Sequence, residues 1–176
     1  DKRIGIFSGT VHDAFVAKKY PNAKLFRFDG TADMMLSLKT GKIDAAMFDA
    51  VTAGLILKRN PELGLLSDKV LDMPLGVGFN KKNPQLKNEF NAFLKEIHKN
   101  GIYDEMHKRW FVDDAEEAVM PSIANNPNGK NLTVAVSVDD LPYVSYMNGQ
   151  YAGFDIEMIR RFAEYGKYNL EIIQME

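Results

Sequence analysis

The chain has no cysteine, which removes disulfides, zinc–thiolate centres and thiol nucleophiles from consideration. It has no basic excess. Lys and Arg number 22 against 24 Asp and Glu, a formal charge of −2 with neutral histidines, so nothing in the balance draws it to nucleic acid or to an anionic membrane. No apolar run approaches the ~20 residues of a membrane-spanning helix. His12, His98 and His107 are scattered, without the i, i+4 spacing and shared acid of a metal site, and no cofactor of any kind is expected. Ser8 has no Gly-x-Ser-x-Gly setting, so a nucleophile elbow is not supported. The glycines do not form a Gly-x-x-x-x-Gly-Lys phosphate loop. The chain opens on Asp1-Lys2-Arg3 directly before a strand, without a leader segment, and reads as a piece of something longer.

What is present is ordinary in bulk and organised in detail. The 176 residues are 45% hydrophobic and 26% charged, enough to bury a core in one domain or two small lobes. Ile4–Phe7 reads as a buried strand. Thr10 suits an N-cap for a helix bearing Val11, Ala14, Phe15 and Lys18, which Pro21 and Asn22 stop. Lys24–Phe28 is a second strand. Thr31 caps a helix with Met34, Met35 and Leu38 on one face, and Gly41 is its C′ residue. Ile43–Phe48 is a third strand, and Asp49 opens a helix over 50–59. Strand–helix alternation with short connections predicts an α/β fold with a parallel sheet covered on both faces. Val70–Asn80 reads as extended. Leu86, Phe90, Phe93, Leu94 and Ile97 fall at helical spacing after Asn83-Pro84, and a second helix carries Tyr103, Met106 and Trp110. Segment 112–131, with its acidic cluster and its Pro, Asn and Gly residues, reads as a linker. The α/β pattern then restarts: a strand over 132–136, a turn at Asn148-Gly149, a helix over 155–165 and a strand over 170–175. Phe154 and Asp155 read as a core residue and a helix cap.

Two features carry chemistry. The Ser8-Gly9-Thr10 turn, with Val11 after it, offers backbone N–H groups at a helix start, where a carboxylate binds well. Thr10 could equally be an N-cap and nothing more. Asp49 lies where a strand gives way to a helix, at the sheet edge where open α/β folds take ligands. It could bind an ammonium, cap its helix, or do both. Asp44 precedes the strand's apolar stretch and reads as structural. Asp139 and Asp140 end a later strand, where either could meet an amine or remain solvated. The nine methionines fall mostly at core-like positions.

Several motifs in order resemble one family. They are Ser8-Gly9-Thr10; Leu38-Lys39-Thr40-Gly41-Lys42-Ile43-Asp44 with Asp49; Gly101-Ile102-Tyr103 through Lys108-Arg109-Trp110-Phe111; and, past residue 131, Leu141-Pro142-Tyr143 and Gly149-Gln150-Tyr151-Ala152-Gly153-Phe154-Asp155. Together they resemble the bacterial extracellular solute-binding proteins of family 3, the polar amino-acid type. The resemblance implies a type II periplasmic-binding (Venus flytrap) fold of two α/β lobes joined by a hinge, and ligand contacts from Tyr143 and Tyr146 as stacking aromatics. It implies a periplasmic or other extracytoplasmic location, an amino acid as ligand, and an ABC-transporter permease as partner. A sensor's transmembrane module is the alternative partner. A cyclohexadienyl-dehydratase-like enzyme on the same fold is a further alternative, and no enzymatic activity is expected.

The order of the motifs is unusual. The family's opening motifs come after its closing ones, which implies tandem domains: 1–80 as lobe 2 of one domain, 81–111 as closing helices that pack on lobe 1, 112–131 as linker, and 132–176 as the first strand–helix–strand of lobe 1 of the next. The stretch of lobe 1 that carries an Arg for the ligand carboxylate in the family has no counterpart. With lobe 1 incomplete, a domain-swapped homodimer is expected, and Phe90, Phe93, Ile97 and Trp110 are expected to pack against 132–173.

Overall fold

The computed structural model describes residues 2–66, 70–72, 75–137 and 141–175. They form two compact units, Asp1–Lys69 and Val70–Glu176. The division falls at 69/70, ahead of the boundary at 80 expected from the motifs.

In the first unit, β1 (Arg3–Phe7) is the middle strand of a parallel three-stranded sheet, with β2 (Lys24–Phe28) on one side and β3 (Ala45–Ala46) on the other. Helices α1 (Val11–Lys19), α2 (Thr31–Lys39) and α3 (Ala50–Arg59) alternate with the strands. Ile6, Val16, Met34 and Ile43 are buried. Gly5 sits inside β1 because a Cβ there would lie 2.5 Å from Ile43 Cδ1 and 3.2 Å from Met34. The expected strand over 43–48 is cut short at its start. The Ile43 N–H is taken by the Ser37 carbonyl at the end of α2, so the ladder to β1 begins only at Ala45. Two helix details also differ. Gly30, not Thr31, is the α2 N-cap, and α1 buries Val16 while Val11 is exposed. Arg3 clamps Asp44 through Nε (3.1 Å), Nη2 (2.6 Å) and its backbone N–H (2.7 Å), so Asp44 ties the start of β1 to the start of β3.

In the second unit, β4 (Asn131–Val136) and β7 (Asn169–Gln174) pair in parallel, and β5 (Ser145–Met147) and β6 (Gln150–Ala152) form a hairpin. Its turn residues Asn148 and Gly149 both have positive φ, 51° and 79°, as a tight two-residue hairpin turn demands. Helix α4 (Pro84–Lys99) starts on an Asn83 side-chain cap with Pro84 in its first turn. Helix α5 (Ile102–His107) runs into a π-helical turn, Lys108–Val112, and α6 (Phe154–Tyr165) bridges the hairpin to β7. Phe90, Phe93, Ile97 and Trp110 share one core with Leu132, Ile156 and Phe162. The Phe90 and Phe93 rings lie 5.0 and 5.5 Å from that of Phe162.

Residues 70–72 and 75–80, read as extended, lie in neither helix nor strand, with the Leu75 and Val77 side chains exposed. Two expectations are revised here. Asp155 lies in the first turn of α6 and Gly153 is its N-cap. Segment 112–131 is irregular yet anchored. Ala115 and Met120 are buried, the Asn125 side chain accepts from the Leu170 N–H at 2.8 Å, and the Asn126 amide donates to the Lys167 carbonyl at 2.8 Å. A polar segment whose amides find backbone partners does not behave as a free coil.

Candidate functional site

Strands β1 and β3 run parallel and side by side, so the loops leaving their carboxyl ends emerge at the same edge of the first unit's sheet. The Ser8–Thr10 turn comes directly after Phe7, and Asp49 lies three residues past the end of β3. The Phe7 and Phe48 rings, each one residue before these groups, meet edge to face at 5.8 Å and tie the two strand exits together.

The turn itself is built for its shape. Gly9 has φ +68°, a conformation that costs a glycine little. Thr10 is the N-cap of α1: its Oγ1 accepts from the Asp13 N–H at 3.3 Å and donates to the Phe7 carbonyl at 2.9 Å. The Ser8 N–H is spent on the Phe28 carbonyl, 3.0 Å away. The Gly9 N–H faces Asp13 Oδ2 at 3.4 Å, and that carboxylate is gripped by Arg27 Nε and Nη2 at 2.8 and 2.9 Å. The Arg27 hydrogen bonds hold the Asp13 carboxyl below its ordinary range. Among the described residues the N–H groups of Val11 and His12 take part in no hydrogen bond, as expected for the first turn of a helix.

Asp49 caps α3. Oδ1 accepts from the Val51 and Thr52 N–H groups at 3.1 and 3.0 Å, and Oδ2 accepts from Thr52 Oγ1 at 2.8 Å. A carboxylate offers about four lone-pair positions, so this half-buried group retains capacity for one further donor. The capping alternative is therefore realised for both Thr10 and Asp49; Asp49 retains a lone pair, whereas the Thr10 hydroxyl proton is committed to the Phe7 carbonyl.

The other candidates lie in the second unit. Tyr143 is half-buried, with its ring 5.4 Å from Phe111. Tyr146 is 61% exposed. Its hydroxyl donates to the Gly149 carbonyl at 3.0 Å and its ring meets Tyr151 edge-on at 5.3 Å. Asp139 lies outside the described residues. The structure thus brings Ser8, Gly9, Thr10, Val11 and Asp49 to one sheet edge, while Tyr143 and Tyr146 belong to a different unit. Among the described residues no group of three or more His, Asp or Glu side chains is arranged to hold a metal, and no helix is long and apolar enough to cross a membrane.

Among the described residues, one densely bonded polar group was not among the candidates from sequence. Glu157 is fully buried. It accepts from Arg109 Nη1 at 2.9 Å through both oxygens, from Trp110 Nε1 at 2.7 Å and from Arg161 Nε at 2.9 Å. Its one sequence signal was the i, i+4 spacing to Arg161.

An open α/β fold whose parallel strands carry a helix-start turn and a carboxylate to one edge belongs to the small-molecule-binding class. The family model of the bacterial extracellular solute-binding proteins, family 3, matches residues 16–113. The chain belongs to that family and has its type II periplasmic-binding fold. The matched span includes Asp49 and ends before the restart of the α/β pattern. The chain is 30% identical over 115 residues to a putative ABC transporter arginine-binding protein 2 of Escherichia coli K12, covering 62% of this chain and 47% of that protein. Among solved structures it resembles a mutant of ArgBP from T. maritima, at 34% identity and TM-score 0.57, over 64% of this chain and 48% of that one. It also resembles an ancestral amino-acid-binding protein described as a precursor of cyclohexadienyl dehydratase, at 28% identity and TM-score 0.54, over 63% and 46% of the two chains. The chain spans about half the length of the relatives it matches.

Proposed function

We propose that this chain is part of an extracytoplasmic receptor that binds an α-amino acid, without chemistry, and passes it to an ABC-transporter permease. One observation carries the reading: parallel pairing of β1 with β3 sets the Ser8–Val11 turn and Asp49 at the same sheet edge. The open N–H groups at the α1 start suit the ligand's carboxylate, and the remaining lone pair of Asp49 suits its ammonium. The relatives named as ABC transporter arginine-binding proteins support the ligand class and the transport role.

A second reading, the ligand-sensing ectodomain of a membrane receptor, draws on the restart of the α/β pattern at Asn131 after the family match ends at residue 113. Two solute-binding domains in tandem would produce that order, with 1–80, 81–111, 112–131 and 132–176 as their parts. The downstream sequence of the full gene, permease or kinase, separates the two.

Calorimetry on the full-length protein with arginine, glutamine and histidine tests the binding assignment. Asp49→Ala should weaken binding by more than ~1.4 kcal/mol, a factor of ten, because it leaves the ligand's ammonium without its partner, and Thr10→Ala should weaken it by removing the cap that holds the turn and its N–H groups in place. Unchanged affinity in both variants would refute the site. Product formation from prephenate would refute the non-catalytic reading.

A further inference from the structure

Glu157, Arg109, Trp110 and Arg161 form a cluster that the proposed binding role does not use. Its members come from two elements. Glu157 and Arg161 lie on α6 one turn apart, and Arg109 and Trp110 lie next to each other in the π-helical turn. We propose that the cluster is a plug and socket: the Glu157–Arg161 pair is a permanent socket on α6, and segment 102–112 docks into it, and leaves it, as one piece.

Three observations support this. First, the bonding is asymmetric. Four of the contacts of Glu157 are Arg109 Nη1 to each oxygen, Trp110 Nε1 and Arg161 Nε, and only the last stays within α6. When segment 102–112 leaves, Glu157 loses the other three together but keeps a cation on its own helix, at the i, i+4 spacing that holds such pairs. Second, the ion pairs put two guanidiniums on one carboxylate. The docked cluster therefore carries one cation more than it has anion, whereas the empty socket is neutral. Third, the donors come from a π-helical turn, a rare geometry that marks functional positions in helices. Here it lets two consecutive side chains reach the same carboxylate. Beyond the plug, Asp113 is ion-paired back to Lys108 within the segment's end, and the chain is then anchored to the rest of the unit by the burial of Ala115 and Met120 and by the Asn125 and Asn126 contacts to residues 167–170. Release at Glu157 therefore frees a defined stretch rather than the whole unit.

The inference predicts effects of opposite sign for the two arginines, which a merely structural cluster would not show. The test is hydrogen exchange by mass spectrometry on the full chain, with iodide quenching of Trp110, the single tryptophan, as a second readout. Arg109→Met removes plug contacts. It should speed exchange of amides 102–112 by about tenfold and expose Trp110 to quencher, with α1–α3 and β4–β7 unchanged. Arg161→Met removes the socket's own cation. Docking then makes a neutral one-to-one pair, undocking leaves a carboxylate with no cation, and exchange of 102–112 should slow by about threefold. If Arg161→Met speeds exchange as Arg109→Met does, the plug-and-socket proposal is wrong and the cluster is structural only. It is also wrong if Arg109→Met raises exchange throughout α4, α6 and β4 by one common factor, since docking would then not be a separate event. Glu157→Gln should match Arg109→Met in direction, and a wild-type-like pattern in that variant would likewise overturn the proposal.

Discussion

Asp49 Oδ1 is engaged by the Val51 and Thr52 N–H groups, which is what an N-cap does, and Oδ2 has a single hydroxyl partner. Charge and capping are therefore separable at this residue. Asn caps as well as Asp, so Asp49→Asn should leave thermal stability within ~0.5 kcal/mol of wild type while weakening amino-acid binding more than ~10-fold. Asp49→Ala should lose the same binding and ~0.5–2 kcal/mol of stability as well. Thermal melts set beside calorimetry read the two losses independently. Tyr168 gives a second residue-scale test. Its hydroxyl donates to Glu89 Oε2 at 2.6 Å, and that bond, with partial burial, pushes its pKa up to about 12 from 10.0. The folded state thus holds the phenolic proton more tightly than the unfolded chain. The stabilisation is complete below about pH 10, the unfolded value, falls as pH rises, and is lost beyond about 12. Phenolate absorbance during an alkaline titration should show one tyrosine ionising late, and Glu89→Gln should bring it back toward the others.

At the scale of elements, helix α4 and the α5–π-turn segment are held by aromatic packing on α6. Trp110 is 1% exposed and its indole N–H reaches Glu157. Trp110→Ala should cost ~3–5 kcal/mol in denaturant unfolding. A loss below ~1 kcal/mol would mean that the segment contributes little to the core. These helices were legible in the sequence because Phe90, Phe93 and Ile97 repeat at helical spacing and Asn83-Pro84 marks a start. The strand–turn–helix around Thr10 and the cap at Asp49 were legible for the same reason: local chemistry decides them. Other features depended on partners distant in the chain and were not legible. The length of β3 is limited by a carbonyl of α2. The order of the linker segment comes from Lys167 and Leu170. Glu157 has its burial and two of its donors from residues 47 and 48 positions earlier in the chain, which local sequence does not reveal.

At the scale of the whole molecule, the parallel pair β4–β7 is a two-stranded sheet among the described residues, and parallel sheets are ordinarily larger and covered on both faces. Ile173 and Met175, in and just after β7, are 37% and 56% exposed. Open edges of this kind recruit further strands, so light scattering of this chain alone should show a dimer or larger species, and a strictly monomeric solution would refute that expectation. Acid should weaken the first unit. The Arg3 and Arg27 clamps hold the Asp44 and Asp13 carboxyls below their ordinary range. Their stabilisation is therefore present above about pH 4, the unfolded carboxyl value, and is lost as pH falls through the lower folded values. Asp13→Asn together with Asp44→Asn should flatten that acid limb in a pH series of thermal melts. The two units also differ in how far along the chain they must reach for their partners. The first closes its sheet over 21 and 41 positions, with Arg3 opposite Lys24 and Ile4 opposite Ala45. The second must also join Arg109 to Glu157, 48 positions apart, and Glu89 to Tyr168, 79 apart. Distant pairings lose loop-closure entropy before any contact compensates for it. During synthesis the first unit can therefore fold as soon as it leaves the ribosome, whereas the second waits for β7, its α4 aromatics exposed in the meantime and open to chaperones.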